Sequence, residues 1–312
     1  MNGKVLRPND GEIALDLPHP TDASRRARWN GEAFDLGGEA VRVLAYDVAR
    51  SGWTDELTHL HEEVGGSDHF IDVASRSYAM SEVERCISTT PSVVLEVGVS
   101  SGYLLGDLVT RLPGHVVIGS DYTRGTLDGV ARRIAKVPLI QFDLTRCPLE
   151  GEFVDVAVLL NVLEHIEDHE TAVAQLFRIL RPGGAIVVEV PAASSLFDVY
   201  DRALMHHRRY DMGDLLALLR GAGFHVERRS HLGFFLYPAF YLSKRLNQLR
   251  YPAAAPANEQ EIASKLIAAT RKSGPLPRLV MDLERKLRPY VYFPCGVRCL
   301  VTGRKPSSGG ER

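Results

Sequence analysis

The clearest feature of this sequence is a short apolar run that ends in a glycine-rich turn. Residues 93–97 read Val-Val-Leu-Glu-Val, residues 98–102 read Gly-Val-Ser-Ser-Gly, and a helical apolar pattern starts at Tyr103. A continuous apolar, β-branched run of this length is typical of a strand buried on both faces of a parallel sheet. Glycines at the end of a strand allow a sharp turn and the close approach of a ligand. The stretch therefore predicts a strand, a turn and a helix that together form a ligand cradle.

Apolar runs and amphipathic segments alternate along the residues that follow. This alternation indicates βαβ units, a parallel sheet and right-handed crossovers. The predicted strands are seven in number: Val93–Val97, Val116–Ser120, Leu139–Phe142, Phe153–Leu160, Ala185–Val190, Phe224–Arg229 and Val297–Thr302. The chain is therefore expected to be an α/β protein.

The residues before Val93 show helical apolar spacing and no obvious strand. Helices are expected over residues 32–50, 55–63 and about 68–87, and, near the other end of the chain, over 259–272 and 279–287. The pattern divides the chain into five parts: a helical N-terminal extension or lid (1–90), a ligand-binding core (91–230), a helical cap insert (231–291), the last core strand (292–304) and a disordered tail (305–312).

Composition and charge exclude several classes of protein. The 312 residues have a formal net charge of −2, without the basic excess of a nucleic-acid-binding protein. None of the four cysteines forms a C-x-x-C pair, so a zinc ribbon or a disulfide framework is not indicated and a reducing, cytoplasmic compartment is expected. The longest apolar stretch, residues 232–242, is too short for a transmembrane helix, which needs about 20 residues.

The glycine spacing of the turn argues against two common cofactors. In the dinucleotide pattern G-x-G-x-x-G, Ser100 and Tyr103 would stand where the second and third glycines belong. The second glycine is the one that lets a pyrophosphate approach, so NAD is disfavoured. No Gly-Lys-Ser or Gly-Lys-Thr follows Gly102, which disfavours a P-loop nucleotide.

Six sequence elements, in this order and spacing, resemble the class I S-adenosylmethionine-dependent methyltransferases of small molecules that carry an N-terminal helical extension. The elements are Leu-Glu-Val-Gly-Val-Ser-Ser-Gly at 95–102, Asp-Tyr at 121–122, Phe-Asp-Leu at 142–144, Asn-Val-Leu-Glu-His at 161–165, Leu-Arg-Pro-Gly-Gly at 180–184 and Gly-Ala-Gly-Phe at 221–224. The resemblance covers about residues 91–230 and the last strand. It implies a Rossmann-like sheet of seven mostly parallel strands whose last strand is antiparallel. It also implies S-adenosylmethionine as methyl donor and S-adenosylhomocysteine as product.

The same resemblance implies which residues hold the methyl donor. Carboxylates are strong acceptors, so Glu96 is expected to bind the methionine ammonium, Asp121 the ribose hydroxyls and Asp143 the adenine amine. Arg76 is expected to meet the methionine carboxylate, with Tyr78 as a lid. The complete expected set is Arg76, Tyr78, Glu96, Gly98, Ser100, Gly102, Asp121, Tyr122, Asp143, Leu144, Asn161 and Val162.

Some of these roles involve the backbone or the ring of a residue. Tyr122 is expected to flank the adenine, the Leu144 N–H to donate to an adenine nitrogen, and the Asn161 carbonyl to hold the ammonium. Ser100 replaces a glycine that is common in this family, and a serine is small enough to be tolerated there.

Histidines near the cofactor mouth are the candidates for a catalytic base, because an oxygen or nitrogen acceptor can require proton removal. His165 follows the fourth strand, and His206 and His207 lie in a polar stretch after the fifth. Helix-start capping by His165, and anchoring of the loop by Arg209 and Tyr210, remain equally open. His165 and His169 have a spacing that could bind a metal, but the charged residues around them are typical of a solvated helix entry, so no metal is expected.

The aromatic-rich segment at residues 234–242 bears on the methyl acceptor. As part of a cap, it would favour a small acceptor with an apolar portion, such as a polyketide, aromatic or isoprenoid metabolite. It could instead form a homodimer contact or, with the basic residues after it, a membrane-surface helix. Two other functions also remain open: a donor-binding protein that catalyses a cyclisation or rearrangement, and a non-enzymatic module that binds a partner through residues 231–291.

Overall fold

Strands and helices alternate along most of the chain. This computed structural model describes residues 15–48, 69–87, 91–252, 276–288 and 290–307. The strands are β1 (Asp16–Pro18), β2 (Arg26–Trp29), β3 (Phe34–Asp35), β4 (Ala40–Val41), β5 (Val43–Ala45), β6 (Val93–Val97), β7 (Val116–Asp121), β8 (Leu139–Gln141), β9 (Val154–Leu160), β10 (Leu180–Pro191), β11 (His225–Leu232) and β12 (Arg298–Arg304). The α-helices are α1 (Phe70–Cys86), α2 (Tyr103–Arg111), α3 (Arg124–Arg133), α4 (His169–Ile179), α5 (Val199–Ala203), α6 (Met212–Gly221), α7 (Tyr237–Arg250) and α8 (Leu276–Leu287).

One large sheet has the strand order β11-β12-β10-β9-β6-β7-β8-β5. Strand β12 pairs antiparallel with β10 and β11, whereas the other neighbouring strands pair in parallel. The predicted Rossmann-like fold is confirmed, with eight strands instead of seven because β5 adds to the edge beside β8. The chain runs from β6 to β7 in one direction and returns to β9 on the other side. Open α/β sheets bind ligands at the carboxyl ends of the strands at such a switch point.

The central strand β6 is buried on both faces. Val93, Leu95 and Val97 belong to the apolar cluster on one face of the sheet, and Val94 belongs to the cluster on the other face. Successive side chains of a strand point to opposite faces, which explains why this run is apolar throughout. Glu96 is its one polar residue, near the end where the ligand cradle begins.

The helix expected over residues 32–50 is wrong, because strands occupy this part of the chain. Strands β1 to β4 form a separate antiparallel sheet in chain order. The side chains of Asn30 and Asp35 accept hydrogen bonds from backbone N–H groups two and three residues ahead. Such turns reverse the chain and compete with a helix. Phe34 and Val41, which fit a helical spacing, are instead cross-strand partners.

The other expectations outside the core have mixed outcomes. The helices expected near residues 68–87 and 279–287 are confirmed as α1 and α8, and the aromatic segment leads into α7. The helices expected over 55–63 and 259–272 lie outside the described residues. The disordered tail stays a prediction, because residues 308–312 lie outside the described residues; Lys305 Nζ, at its start, donates to the carbonyls of Phe177 and Leu180. None of the helices in the described ranges combines the length and the hydropathy that membrane crossing requires.

Candidate cofactor and acceptor site

The turn after β6 forms the cradle, and two of its positions require glycine. Gly98 has a φ of +79° and Gly102 a φ of +70°, both in the left-handed region. A Cβ atom on Gly98 would lie 2.5 Å from Val162 Cγ2, and one on Gly102 would lie 3.0 Å from Val130 Cγ2. Ser100, which replaces the glycine common in the family, also has a positive φ of 42°. The turn therefore keeps the backbone shape that brings a ligand close to the start of α2.

Asp121, at the end of β7, holds this turn in place. Its carboxylate accepts the Ser100 N–H at 3.1 Å, the Thr123 N–H at 2.9 Å and the Thr123 hydroxyl at 2.8 Å. Burial raises the pKa of Asp121, and these hydrogen bonds oppose the shift. A carboxylate offers about four acceptor sites, so it retains capacity for a ligand donor. The structure thus brings Ser100 and Asp121, two of the residues expected to bind the methyl donor, together at this turn.

Glu96 is a buried acceptor beside the cradle. It is 5% exposed, and its Oε2 has no hydrogen-bond partner among the described residues. Burial raises the pKa of Glu96 well above its usual value, and the nearby Asp121 and Asp107 add to the shift. Leaving a buried acceptor unsatisfied costs about 1–3 kcal/mol. The site therefore fits a ligand that supplies a donor here, such as the ammonium of the expected methyl donor.

The ends of β7 and β8 carry the residues expected around the adenine. Asp143 caps a short 3-10 helix, and its Oδ1 accepts the N–H of Thr145 at 2.8 Å and its hydroxyl at 2.7 Å. Leu144 follows and is buried, and the Tyr122 carbonyl accepts a bond from Gln141 at 3.0 Å. Because both capping bonds use Oδ1, the carboxylate of Asp143 retains Oδ2 for a ligand.

Asn161, after β9, belongs to a buried polar network that the sequence did not reveal. Its backbone has a φ of +54°, and its side-chain amide donates to Glu189 Oε1 at 3.2 Å. Arg298, at the start of β12, donates to the same oxygen at 2.6 Å and to Asp72 of α1 at 2.7 Å. The network joins the ends of β9 and β10 to β12 and α1. A glutamate inside an apolar strand, at Glu189, was the only sequence signal for it.

Helix α1 brings one of its two expected residues toward the cradle. Arg76 lies 3.5 Å from Asp107, and its guanidinium carbon lies 5.3 Å from the ring centre of Tyr103 at the start of α2. Tyr78 is 4% exposed, and its hydroxyl lies 3.5 Å from Thr302 Oγ1 in the middle of β12. The lid role expected for Tyr78 is therefore wrong. Two residues along a helix differ by about 200° in direction, so both could not face the same ligand.

A second polar group of side chains, Glu164, His165 and His206, is called the acceptor-side cluster. Glu164 and His165 lie in the short 3-10 helix Leu163–His165 that follows β9, and His206 lies in the loop after α5. The rings of His165 and His206 meet edge to face, with centroids 4.6 Å apart. The His207 N–H donates to the Glu164 carbonyl at 2.8 Å, which ties the two segments together.

Asp201 orients His206 within this cluster. Its Oδ1 lies 3.0 Å from His206 Nδ1 and 2.8 Å from Arg209 Nη1, and its Oδ2 lies 2.8 Å from Lys244 Nζ. Burial alone would raise the pKa of Asp201, but the His206 hydrogen bond and the Lys244 and Arg209 charges hold it well below its usual value. An ionised carboxylate only accepts, so the network assigns the hydrogen to Nδ1 of His206 and leaves a lone pair on Nε2.

The ionisation of His206 and Glu164 follows from their burial. Burial lowers the pKa of His206, which favours the neutral imidazole. Glu164 is 0% exposed, and neither of its carboxylate oxygens meets a donor from another residue in the described part of the chain. Burial raises the pKa of Glu164 to about 8. Sequence reasoning included Glu164 in the element at 161–165 but gave it no role.

The remaining candidate histidines do not join the cluster. The side chain of His207 is exposed. His169 Nδ1 lies 2.7 Å from the Tyr210 hydroxyl, so the metal-binding spacing of His165 and His169 does not produce a pair. Arg209 and Tyr210 also bind backbone groups near the end of β10, which confirms that they anchor the loop.

Known methyltransferases resemble part of this chain in sequence. Residues 95–188 match the family described as "Methyltransferase domain". A probable S-adenosylmethionine-dependent methyltransferase of Mycolicibacterium smegmatis is 37% identical over 139 residues, which are 43% of this chain and 52% of the relative. One from Mycobacterium tuberculosis is 32% identical over 133 residues, 42% of this chain and 48% of the relative. The chain thus spans about half the length of the curated relatives it matches.

Solved structures share the fold at low sequence identity. The phosphoethanolamine N-methyltransferase 2 of Haemonchus contortus, solved with S-adenosylhomocysteine, has a TM-score of 0.55 and 15% identity, and the match covers 83% of this chain and 59% of that one. The cyclase SpnF has a TM-score of 0.54 and 20% identity, with 81% of this chain and 94% of that one covered. At such identities the likeness is one of fold.

Proposed function

We propose that this chain, which belongs to the class I S-adenosylmethionine-dependent methyltransferases, transfers a methyl group from S-adenosylmethionine to a small, partly apolar metabolite. One observation carries the proposal. Glu96 is a buried acceptor with an unsatisfied oxygen in a glycine cradle, and His206 is an imidazole oriented by Asp201. Both belong to segments at the carboxyl ends of one sheet's strands. The first suits a cationic donor molecule, and the second suits an acceptor that loses a proton.

Each cradle residue binds a different part of the methyl donor. Glu96 binds the methionine ammonium, Asp121 the ribose hydroxyls and Asp143 the adenine amine through Oδ2. Gly98 and Gly102 let the turn pack closely against Val162 and Val130, since a Cβ at either position would meet one of these valine side chains. In this proposal Tyr122, Leu144, Asn161 and Val162 complete the cradle, and Arg76, whose guanidinium carbon lies 5.3 Å from the ring centre of Tyr103, binds the methionine carboxylate.

His206 acts at the acceptor. S-adenosylmethionine supplies a methyl group on a positively charged sulfur. Nε2 of His206 accepts the proton of the acceptor as the nucleophile forms its bond to the methyl carbon. Asp201 stays ionised and stabilises the imidazolium, as the buried carboxylate does in other Asp–His pairs. The electron pair of the broken C–S bond remains on the sulfur of S-adenosylhomocysteine.

The surroundings of His206 favour an acceptor with an apolar part. Helix α7, which begins in the aromatic segment, is joined to Asp201 through Lys244. The Arg209 guanidinium carbon lies 5.4 Å from the ring centre of Phe240, and Lys244 Nζ lies 4.9 Å from that of Tyr200. Aromatic side chains beside a few oriented polar groups are typical of pockets for small organic ligands.

Two measurements test the proposal. Calorimetric titration of the full chain with S-adenosylhomocysteine should give saturable binding, which Asp121→Ala should abolish; no binding to a folded sample would overturn the proposal. A panel of phenols, hydroxyquinones and amines with alkyl tails is then incubated with S-adenosylmethionine. Formation of S-adenosylhomocysteine with a methylated product supports methyl transfer, and an isomerised product without it supports a rearrangement. His206→Ala should remove turnover and retain binding.

A further inference from the structure

We infer that the acceptor-side cluster, Glu164, His165 and His206, is a binding site for a divalent transition-metal ion such as Zn²⁺. One ligand atom from each residue can be chosen so that all three lie within 4.8 Å of one another. Two imidazoles and one carboxylate suit Zn²⁺ or a neighbouring transition metal, whereas Mg²⁺ and Ca²⁺ prefer oxygen ligands.

The unsatisfied carboxyl group of Glu164 is an independent reason to expect a cation. A buried anion without a counter-ion, or a buried acid without a partner, is unfavourable. The two nearby guanidinium groups are engaged elsewhere: Arg298 donates to Glu189 and Asp72, and Arg209 donates to Asp201. Within the described ranges, neither oxygen of Glu164 meets a donor from another residue. A bound cation coordinated by one oxygen of Glu164 would compensate the charge of this carboxylate without breaking these pairs.

Asp201 prepares His206 as a ligand. Histidines that bind metals usually donate their second ring N–H to a carboxylate or carbonyl, which fixes the tautomer and the ring orientation. His206 Nδ1 lies 3.0 Å from Asp201 Oδ1, so Nε2 is the ligand atom.

The size of the cluster suits a tetrahedral ion after a small contraction. Ligand atoms about 2.0–2.2 Å from Zn²⁺ lie roughly 3–4 Å from one another. The three atoms, within 4.8 Å here, need to approach by about one ångström, which side-chain rotation provides. Three protein ligands leave a fourth position open, as in catalytic zinc sites.

The open position would take a hydroxyl-bearing acceptor, a step that rests on the proposed function. A hydroxyl bound to Zn²⁺ loses its proton far more readily than in water. The lone pair of His206 Nε2 cannot coordinate a metal and accept a proton at once, so in the metal-bound form the proton passes to solvent. The O–CH₃ bond then forms as the C–S bond breaks, and the electron pair stays on sulfur.

Titration of the chelator-treated full chain with Zn²⁺ tests the site. We expect one ion per chain for the wild type and at least about 10-fold weaker binding for Glu164→Gln and for His206→Gln, since loss of even an outer-shell partner typically costs about 10–100-fold in metal affinity. His207→Gln is the matched control, because its side chain is exposed, and should bind like the wild type. Equal binding by all four proteins would overturn the inference.

Cobalt and S-adenosylhomocysteine titrations separate this inference from the proposed function and from misfolding. Co²⁺ should give the visible absorption of a tetrahedral site in the wild type and lose it in Glu164→Gln. The same variant should bind S-adenosylhomocysteine normally, which shows that it is folded. Absent Zn²⁺ and Co²⁺ binding with intact S-adenosylhomocysteine binding overturns the metal site alone. Metal binding without S-adenosylhomocysteine binding supports the metal site and overturns the proposed function.

Discussion

The cofactor cradle and the acceptor-side cluster follow strands of one sheet, but they are built differently. The cradle consists mainly of consecutive residues, 96–102, whose shape depends on left-handed backbone at Gly98 and Gly102. The acceptor-side cluster joins two distant segments of the chain. A backbone hydrogen bond from His207 to Glu164 and the buried charges around Asp201 hold these segments together.

Because of this difference, mutations in the cradle and mutations around Asp201 should have different consequences. The cradle leaves Glu96 with an unsatisfied oxygen, so part of its polar capacity is available to a ligand. Around Asp201 both carboxylate oxygens are bonded to protein groups, so this residue serves the fold. Damage to the cradle should therefore weaken binding, and damage around Asp201 should weaken folding.

Asp201→Ala should have the largest effect, a loss of about 3–5 kcal/mol in the free energy of unfolding, because removing one partner leaves buried charges uncompensated. Arg209 and Lys244 both lose this carboxylate, and each of these side chains is nearly completely buried. Urea denaturation followed by circular dichroism measures the change.

The control for this prediction is Asp214→Ala, an exposed acidic position at the start of α6. Surface substitutions of this kind usually change stability by less than about 0.5 kcal/mol. Lys244 keeps its 2.7 Å pair with Asp198 in Asp201→Ala, so most of the loss should come from Arg209. Equal losses in the free energy of unfolding for Asp201→Ala and Asp214→Ala would contradict the structural role assigned to the charges around Asp201.

Asp121→Asn should have an intermediate effect that appears in binding. The amide still accepts hydrogen bonds through its oxygen, but it loses the charge that strengthens the bonds to the ribose hydroxyls. We expect about 10- to 100-fold weaker binding of S-adenosylhomocysteine, in line with roughly 1.5–3 kcal/mol for a hydrogen bond to a charged group. Calorimetric titration measures the dissociation constant.

Asp128→Asn, on α3, is the matched control, because Asp128 pairs with Arg124 on the helix surface and lies outside the cradle. It should bind S-adenosylhomocysteine like the wild type. If Asp121→Asn lowers stability but leaves the affinity for S-adenosylhomocysteine unchanged, Asp121 serves the fold as Asp201 does. That result would contradict the difference between the cradle and the residues around Asp201.

The contrast also explains which parts of the structure the sequence could predict. The strand, turn and helix around Gly98 have local signals, and their geometry is confirmed. Lys244 lies 43 positions from Asp201, so no local pattern links these charges. The strands near Phe34 were missed because the apolar spacing fitted a helix while the turns at Asn30 and Asp35 received no weight.

Tyr78 and Glu164 illustrate a second limit. Both lie in segments that sequence reasoning associated with the site, but the direction of a side chain depends on tertiary packing. Tyr78 turns toward Thr302 of β12. Glu164 turns into an interior without a donor from another described residue. A motif therefore predicted the segment and not the role of each side chain.

The smallest expected effect is a proton released from Glu96 when the methyl donor binds. Burial raises the pKa of Glu96, so in the free protein it is protonated over a pH range in which an exposed glutamate is ionised. The ligand ammonium, with a pKa of about 8 for such groups, stays charged below neutral pH and favours the ionised carboxylate. The free protein then holds more protons than the complex, so affinity should rise with pH, by at most about 10-fold per pH unit, until the pH passes the raised pKa of Glu96.

Titrations with S-adenosylhomocysteine at pH 5–7 in buffers of different ionisation enthalpy measure this proton directly. Glu96→Gln should abolish both the release and the pH dependence, because the amide does not titrate. Asp143→Asn is the control, and it should bind more weakly and keep the pH slope. An unchanged slope in Glu96→Gln would assign the proton to another group, and Glu96 would then resemble Asp201 as a charge that serves the fold. A lost slope would mean that Glu96 gains a partner only when the ligand binds, whereas the charges around Asp201 are paired within the protein before any ligand binds.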